Sequence, residues 1–499
     1  MKNFAVIALI LASCQCLAQP SAVIESNRKG LEILRKSLAA YGGVAATDSL
    51  KLAFKMNASK AIMRGQSLVP AAPFEPYYSY SNYMVDRPGS IEIEQRKSAI
   101  AGDFVFESTT FYQNGKGISY DPLMKQYYEV TGNGTSGSMT YLPQNAVSAA
   151  LRNPVSVRYM QETQVNNEAA YLLTYIVGSA LDHLYIDKKT NRVVKLQRLY
   201  PSGTGEELHE FYYRKYQKAG DILFPLEAEL LVHNPVYGTV SNTYTFTDLR
   251  TEFAIDPSML AIPEGYAKQD YSYRKKFEVR ELAKDIYLLE NITSSNYQWS
   301  YNVLFAVMDE FVLVAEAPMN SAMTERVLAK IKEVAPGKPV KYLVQSHHHD
   351  DHLGGIRGYI AEGATIISTP GNAGLIQKIA KVEYHAFPDR LAKHPKPAVI
   401  ETLQQKKRVI KDQRHEVVIM DVGPNPHANE MIIVYFPNEK LIYQCDLINK
   451  GEYPLGAPGI DFLKKIKSMG LQVDRIASLH GQTVEKEEIA AMMSKAVSQ

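Results

Sequence analysis

The sequence predicts two folded regions behind an export signal. Residues 19–275 read as a mainly antiparallel, curved β-sheet with one helix, and residues 276–499 as α/β layers with helices outside. Three observations carry this. Apolar and polar residues alternate, with hairpin signals between them, through the first region. Short runs rich in Val, Ile and Leu alternate with helical stretches in the second. Tyrosine is skewed, with 32 against one Trp, most of them before residue 275, which favours strands there.

At 499 residues the chain has room for two or three domains. It is 45% hydrophobic and 22% charged, as folded proteins are, and its formal charge of +2 gives no reason to expect nucleic acid or an acidic membrane surface as partner.

The first 18 residues read as the export signal. Lys2 supplies a positive start, Phe4 to Ala12 an apolar run, and small residues follow. Two readings stand side by side. Cys16-Leu17-Ala18 permits cleavage that leaves Gln19 first, giving a periplasmic or secreted protein. Leu11-Ala12-Ser13-Cys14 looks like a lipobox, which would put a lipid anchor on Cys14 and give an outer-membrane lipoprotein. No other apolar run approaches 18 residues, so no transmembrane span is expected. With cleavage after Ala18 only Cys445 remains, which leaves no internal disulfide.

In the first region Leu31, Leu34, Leu38 and Tyr41 recur at helical spacing, and Gly42-Gly43 ends the run. Then alternation takes over. "FYQNGKGISY" carries Asn114-Gly115, a strong hairpin signal. "TGNGTSGS", 131–138, reads as a loop, and "LYIDKKTNRVVKLQRL" as two strands around a polar turn. In "TVSNTYTFTD", Val240, Tyr244 and Phe246 mark one packed face. This layout, with its early "Tyr-Gly-Gly … Ser-Leu-Lys" start, is weakly similar to the half-barrel domains of outer-membrane lipoprotein carriers. That resemblance implies an apolar ligand held in a groove of the N-terminal domain.

In the second region "DIYLLE", "NVLFAV" and "FVLVAEA" read as strands, 321–334 as a helix and "VKYLVQS" as a buried strand. A Pro- and Lys-rich insert, 382–414, reads as a surface excursion. Just past "VKYLVQS" comes "SHHHDDHLGG", in which His347, His349, Asp351 and His352 form H-x-H-x-D-H. Alternate residues of an extended strand end point the same way, so His347 and His349 can reach one metal, while Asp351 and His352, past the bend, face a second position. Imidazole with carboxylate suits zinc, iron or manganese. Further candidates lie at strand ends downstream: His427 before the strand 431–436, Asp446 in "YQCDL" and His480 before Gly481.

That ordered set resembles the dinuclear metallohydrolases of the metallo-β-lactamase superfamily, over roughly the C-terminal 220 residues. The resemblance implies an αββα sandwich with two divalent metal ions, zinc first and iron or manganese next. His347, His349 and His427 would hold one ion; Asp351, His352 and His480 would hold the other, with Asp446 bridging. His348 and Asp350 fall at variable positions and are not expected to ligate. Lactamases with this H-x-H-x-D-H pattern generally lack the bridging aspartate, so the set is nearer to glyoxalase II and acyl-homoserine-lactone lactonases than to a typical β-lactamase. Cys445 stands where many relatives have glycine, and its side chain is expected to point away from the metals.

Two metals a few ångströms apart lower the pKa of a bridging water, so hydroxide is present near neutral pH. The expected activity is therefore hydrolysis of a small-molecule ester, lactone, thioester or phosphoester. Asp351 is the candidate catalytic residue, orienting the hydroxide or passing a proton. Tyr297 and Trp299 are candidates to line a substrate groove or simply to pack. Two alternatives remain: an iron-dependent sulfur oxygenase of the same fold, and an apolar-ligand carrier with an auxiliary metal domain.

Overall fold

The computed structural model describes residues 20–60, 66–71, 74, 77–100, 104–130, 142–269, 277–293 and 300–498. The export signal with Cys14, the loop at 131–138, the boundary near 275, and Tyr297 with Trp299 lie outside the described residues.

The N-terminal half is built on one 14-stranded sheet. Neighbouring strands pair antiparallel along it, with one exception: Ala267–Lys268 runs parallel to Gln126–Val130. The Asn114-Gly115 hairpin forms between Phe104–Gln113 and Lys116–Asp121, both turn residues having positive φ (50° and 77°). The helix Pro20–Ala40 lies on the sheet and stops as the leucine spacing predicts. Gly42, at φ 105°, turns the chain where a Cβ would meet the Asp221 carbonyl at 2.4 Å. Tyr41 pins this helix end, its hydroxyl accepting the Val193 N–H at 2.9 Å.

A second long helix, Pro143–Arg152, beyond the short Gly43–Asp48, is one the sequence reading did not expect. Its signal was there: Ala146, Val147 and Ala150 are buried at helical spacing behind a Pro at the first turn. Leu34 and Leu38 of the first helix and Val147 of the second pack with Phe54, Phe224, Leu230 and Phe246 of the sheet in one core. The chain's own helices thus pack their apolar residues into the sheet-to-helix interface.

The C-terminal half has a 7-stranded and a 6-stranded sheet. In Ile432–Phe436, Ile432, Val434 and Phe436 join a core with strands of the first sheet, while Ile433 and Tyr435 pack with Phe462, Leu463 and Ile466 of the helix Ala457–Ser468. The second sheet is therefore buried on both faces, by the other sheet and by helices. The helix Ser321–Val334 puts Val327, Leu328 and Ile331 into the core of the first sheet.

The segment 382–414 is more than a surface excursion. It supplies Val399–Thr402, the last strand of the first sheet, and Lys407–Lys411, the first strand of the second. Both are edge strands, where lysine and charge are tolerated and even protective, so composition alone hid them.

The halves meet at the hairpin Ser202–Gly205. Glu206 Oε1 accepts backbone N–H bonds from His385, Ala386 and Phe387 at 3.0, 2.7 and 2.6 Å. Gly203 lies so close to Gly354 that a Cβ on it would sit 2.1 Å from the Gly354 Cα. Among the described residues no helix is long and apolar enough to cross a membrane.

Phe54 stacks on Tyr83 (ring centroids 4.9 Å apart) and touches Phe224 at 5.1 Å and Phe246 at 5.9 Å. Phe54→Ala should therefore destabilise the N-terminal half by about 3–5 kcal/mol. Equilibrium urea unfolding followed by circular dichroism reads this as a lower midpoint; an unchanged midpoint would show that Phe54 is not packed in this core as described.

Candidate metal centre

The site lies where strands of both sheets end. Val312–Ala315 leads into Glu316, Val340–Val344 into the histidine stretch, Leu441–Gln444 into Asp446 and Arg475–Ser478 into His480. His347 and His349 precede the short helix Asp350–Leu353, which carries Asp351 and His352 around the bend. Gly354 follows because a Cβ there would meet the Met319 carbonyl at 1.8 Å. Asp446 and Glu316 both have positive φ, 61° and 83°. Such non-glycine strain persists where surrounding bonds over-determine it. Here they do: the Glu316 Oε1 accepts the Ser346 N–H at 2.7 Å, and Gln444 Oε1 accepts the Leu447 N–H at 2.9 Å just beyond Asp446.

All seven sequence candidates come together in two groups that share Asp446. His347, His349, His427 and Asp446 form one, and Asp351, His352, His480 and Asp446 the other, each offering ligand atoms within 4.8 Å of one another. His348 and Asp350 belong to neither.

The donor spacings fit a cation. Ligand atoms about 2.0–2.1 Å from a tetrahedral zinc lie about 3.3 Å from one another. In the first group His347 Nε2 is 3.2 Å from His427 Nε2 and 3.4 Å from Asp446 Oδ2, which is 3.1 Å from His427 Nε2. In the second, His480 Nε2 is 3.4 Å from Asp351 Oδ2 and 3.3 Å from Asp446 Oδ1, and His352 Nε2 is 2.8 Å from Asp446 Oδ2.

The His349 ring supplies a second fit. Its Nε2 bonds the Ser67 carbonyl at 3.1 Å, and a carbonyl only accepts, so Nε2 carries the proton. The lone pair is left on Nδ1, which is buried with no hydrogen-bond partner. Such an orphaned acceptor among imidazoles is what a metal ligand looks like without its ion.

Charge points the same way. Burial holds His347 and His349 well below the ordinary imidazole range and brings His348 down to about 4, so these rings are neutral. In the second group burial also opposes charge, but Asp446 and Asp351 overcome it. They lift His352 well above its ordinary value and His480 to about 9. Burial likewise works to raise the Asp446 carboxyl, yet the His352 and His480 rings hold it far below the usual carboxylate range. Protons on imidazoles stand where positive charge is demanded.

Sequence reading missed two sets of supporting residues. Glu316 Oε2 accepts from His352 Nδ1 at 2.8 Å, the carboxylate–histidine pairing that orients metal-binding rings. Its signal was an acidic residue ending the apolar run "FVLVAEA". The segment at 66–68, from the N-terminal half, touches His348, His349 and Asp351 and had no local signal. Cys445 is buried and groups with Glu316 and His352 rather than with either four-residue cluster; burial pushes its thiol up to about 12.

Several solved metallo-β-lactamase structures are similar to this chain over under half of its length. A metallo-β-lactamase from Pontibacter korlensis is 16% identical, with 45% of this chain and 100% of that chain covered and a TM-score of 0.36. The DIM-1 metallo-β-lactamase is 17% identical over 44% of this chain and 97% of that one, with a TM-score of 0.35. The FIM-1 metallo-β-lactamase from Pseudomonas aeruginosa, in its mono-zinc form, is 16% identical over 44% and 95%, with a TM-score of 0.33. No protein-family model and no curated protein matches the chain.

Rings that are already neutral bind a cation without losing a proton, whereas His352 and His480 must first release theirs. Zinc uptake by the second group should thus release protons near pH 7 and weaken as pH falls; titration in weak buffer with a pH indicator reads the release. Cys445 should react with a thiol reagent in the unfolded chain only, because it is buried and uncharged near neutral pH. Rapid labelling of the folded protein at Cys445 would contradict its placement.

Proposed function

We propose that the chain is a metal-dependent hydrolase. His347, His349, His427 and Asp446 hold one divalent cation, and Asp351, His352, His480 and Asp446 hold a second. The observation that carries this reading is the shared carboxylate: Asp446 Oδ2 lies 3.1 Å from His427 Nε2 in one group and 2.8 Å from His352 Nε2 in the other. Five imidazoles and two carboxylates, with no thiolate among them, form a donor set that suits zinc.

Bound there, such ions supply Lewis acidity toward a carbonyl or phosphoryl oxygen and make a water acidic enough to serve as nucleophile. The protein's part is to hold and orient. Asp446 turns Oδ2 toward both His427 of one group and His352 of the other, and Oδ1 toward His480. Asp351 turns Oδ2 toward His480 and His352, where it can orient the attacking water and take up its proton. The substrate class is an ester, lactone, thioester or phosphoester. The filled sheet-to-helix interface weighs against the carrier alternative.

The same reading takes the C-terminal half as an αββα sandwich forming its own domain from about residue 276, and the protein as exported after cleavage at Ala18 or lipidation at Cys14.

The deciding experiment is elemental mass spectrometry of residues 19–499 purified without added metal, followed by the Asp446→Ala variant. About two zinc ions per chain are expected, and Asp446→Ala should lose metal and hydrolysis of lactone, thioester or phosphodiester substrates together. Iron as the main metal would replace hydrolysis by oxygenase chemistry. No metal even after zinc is offered, or an Asp446→Ala protein with both metals and full activity, would overturn the shared-carboxylate reading.

A further inference from the structure

The metal-binding residues all come from the C-terminal half, yet the nearest support for two of them comes from the N-terminal half. Gln66 Nε2 donates to Asp351 Oδ1 at 2.9 Å and to Asp350 Oδ1 at 3.2 Å. The next residue, Ser67, turns its carbonyl to His348 Nε2 at 2.6 Å and His349 Nε2 at 3.1 Å. The carbonyl after that, of Leu68, accepts the Asn429 N–H at 3.0 Å, two residues past His427. Three consecutive residues thus grip both stretches of the site.

The direction of these contacts decides what the segment does. On Asp351 it takes Oδ1 and leaves Oδ2, the oxygen that faces His480 Nε2 and His352 Nε2. On His349 it takes Nε2 and leaves the buried, unpartnered Nδ1. In both cases the atom it binds is the one turned away from the ligand cluster. A lid would cover the metal-facing atoms; this segment braces the ligands from behind. Ser67 is itself buried, so the contact is protected from competing water.

From this we propose that Gln66 is a positioning residue for the metal centre. Its carboxamide N–H holds Asp351 with Oδ2 presented to the second cation position, and the Ser67 carbonyl fixes the His349 tautomer beside it. The proposal rests on the two-cation reading above. A carboxylate free to rotate would present either oxygen, whereas one tethered at Oδ1 presents Oδ2 alone. Among the described residues Gln66 hydrogen-bonds to Asp351 and Asp350 and to no histidine of the first group, so its effect belongs to the second position and not the first. Outer partners of this kind are worth roughly tenfold or more in metal affinity.

The test uses the full chain loaded with cobalt(II), whose visible spectrum reports coordination without any substrate. Gln66→Met keeps the length and apolar bulk of the side chain but removes the N–H donor, and Gln66→Ala removes both. Both variants should bind the first cobalt as the unaltered protein does, bind the second about tenfold more weakly, and show an altered spectrum on the second addition. Far-UV circular dichroism of the metal-free proteins checks that they fold alike. If Gln66→Met matches the unaltered protein while only Gln66→Ala is weakened, packing and not the hydrogen bond is at work, and the proposal fails. Equal second-site affinity and spectrum in all three proteins overturns it as well, while the cation sites stand. If the unaltered protein binds no cobalt or zinc, the two-cation reading itself has failed and Gln66 has nothing to position.

Discussion

A largely enclosed carboxylate between two sets of imidazole rings is the constraint on which the C-terminal half depends. Asp446 sits at the meeting point, with Asp351 beside it and Glu316 on the outer side of His352. Burying negative charge in a low-dielectric interior is costly unless positive charge or strong donors lie against it. The chain supplies five rings at short range, and the raised basicity of His352 and His480 records how strongly the carboxylates demand charge. Cations at the two positions would meet the same demand and free the rings to act as neutral ligands.

Holding that many polar groups in one place needs rigid attachment, and the fold supplies it by using strand ends. The first sheet delivers Glu316 and the histidine stretch, and the second delivers Asp446 and His480. Asn302 ties the two sheets together there: its side chain donates to the Ser478 carbonyl at 3.1 Å and the Gly481 carbonyl at 2.8 Å, on either side of His480. Its own carbonyl accepts the Tyr443 hydroxyl at 2.7 Å, three residues before Asp446. A ring can be placed accurately only when its far nitrogen is also placed, and Glu316 does this for His352 as Ser67 does for His349.

How much of this the sequence could tell depends on whether a residue's role shows in its neighbours. His347, His349, Asp351 and His352 were legible because period-two spacing followed by a bend places them without knowledge of the rest of the fold. His427, Asp446 and His480 were weaker singly and gained force as an ordered set at strand ends. Glu316 was passed over because an acidic residue after an apolar strand is ordinary. Gln66 and Ser67 had no signal at all, since Ser67 reaches His348 across 281 positions of sequence. In the N-terminal half, hairpins and alternating faces were visible, whereas the helix Pro143–Arg152 was obscured beside the Gly- and Ser-rich stretch that precedes it. The edge strands inside 382–414 were lost for the opposite reason: the lysines that protect an edge look like loop composition.

The placement of the N-terminal half follows from its contacts with this site. Leu34, Leu38 and Val147 pack its helices onto its own sheet. What the half offers the site is reach. Its hairpin at 202–205 meets Gly354, two residues beyond His352, at backbone distance, and Glu206 gathers three backbone donors from the segment at 385–387. Its residues 66–68 arrive at His348, His349, Asp351 and Asn429. Two separate stretches therefore converge on the same short loop of the other half. One 14-stranded sheet makes both approaches, and on His349 and Asp351 they leave Nδ1 and Oδ2, the atoms that face the ligand cluster, untouched.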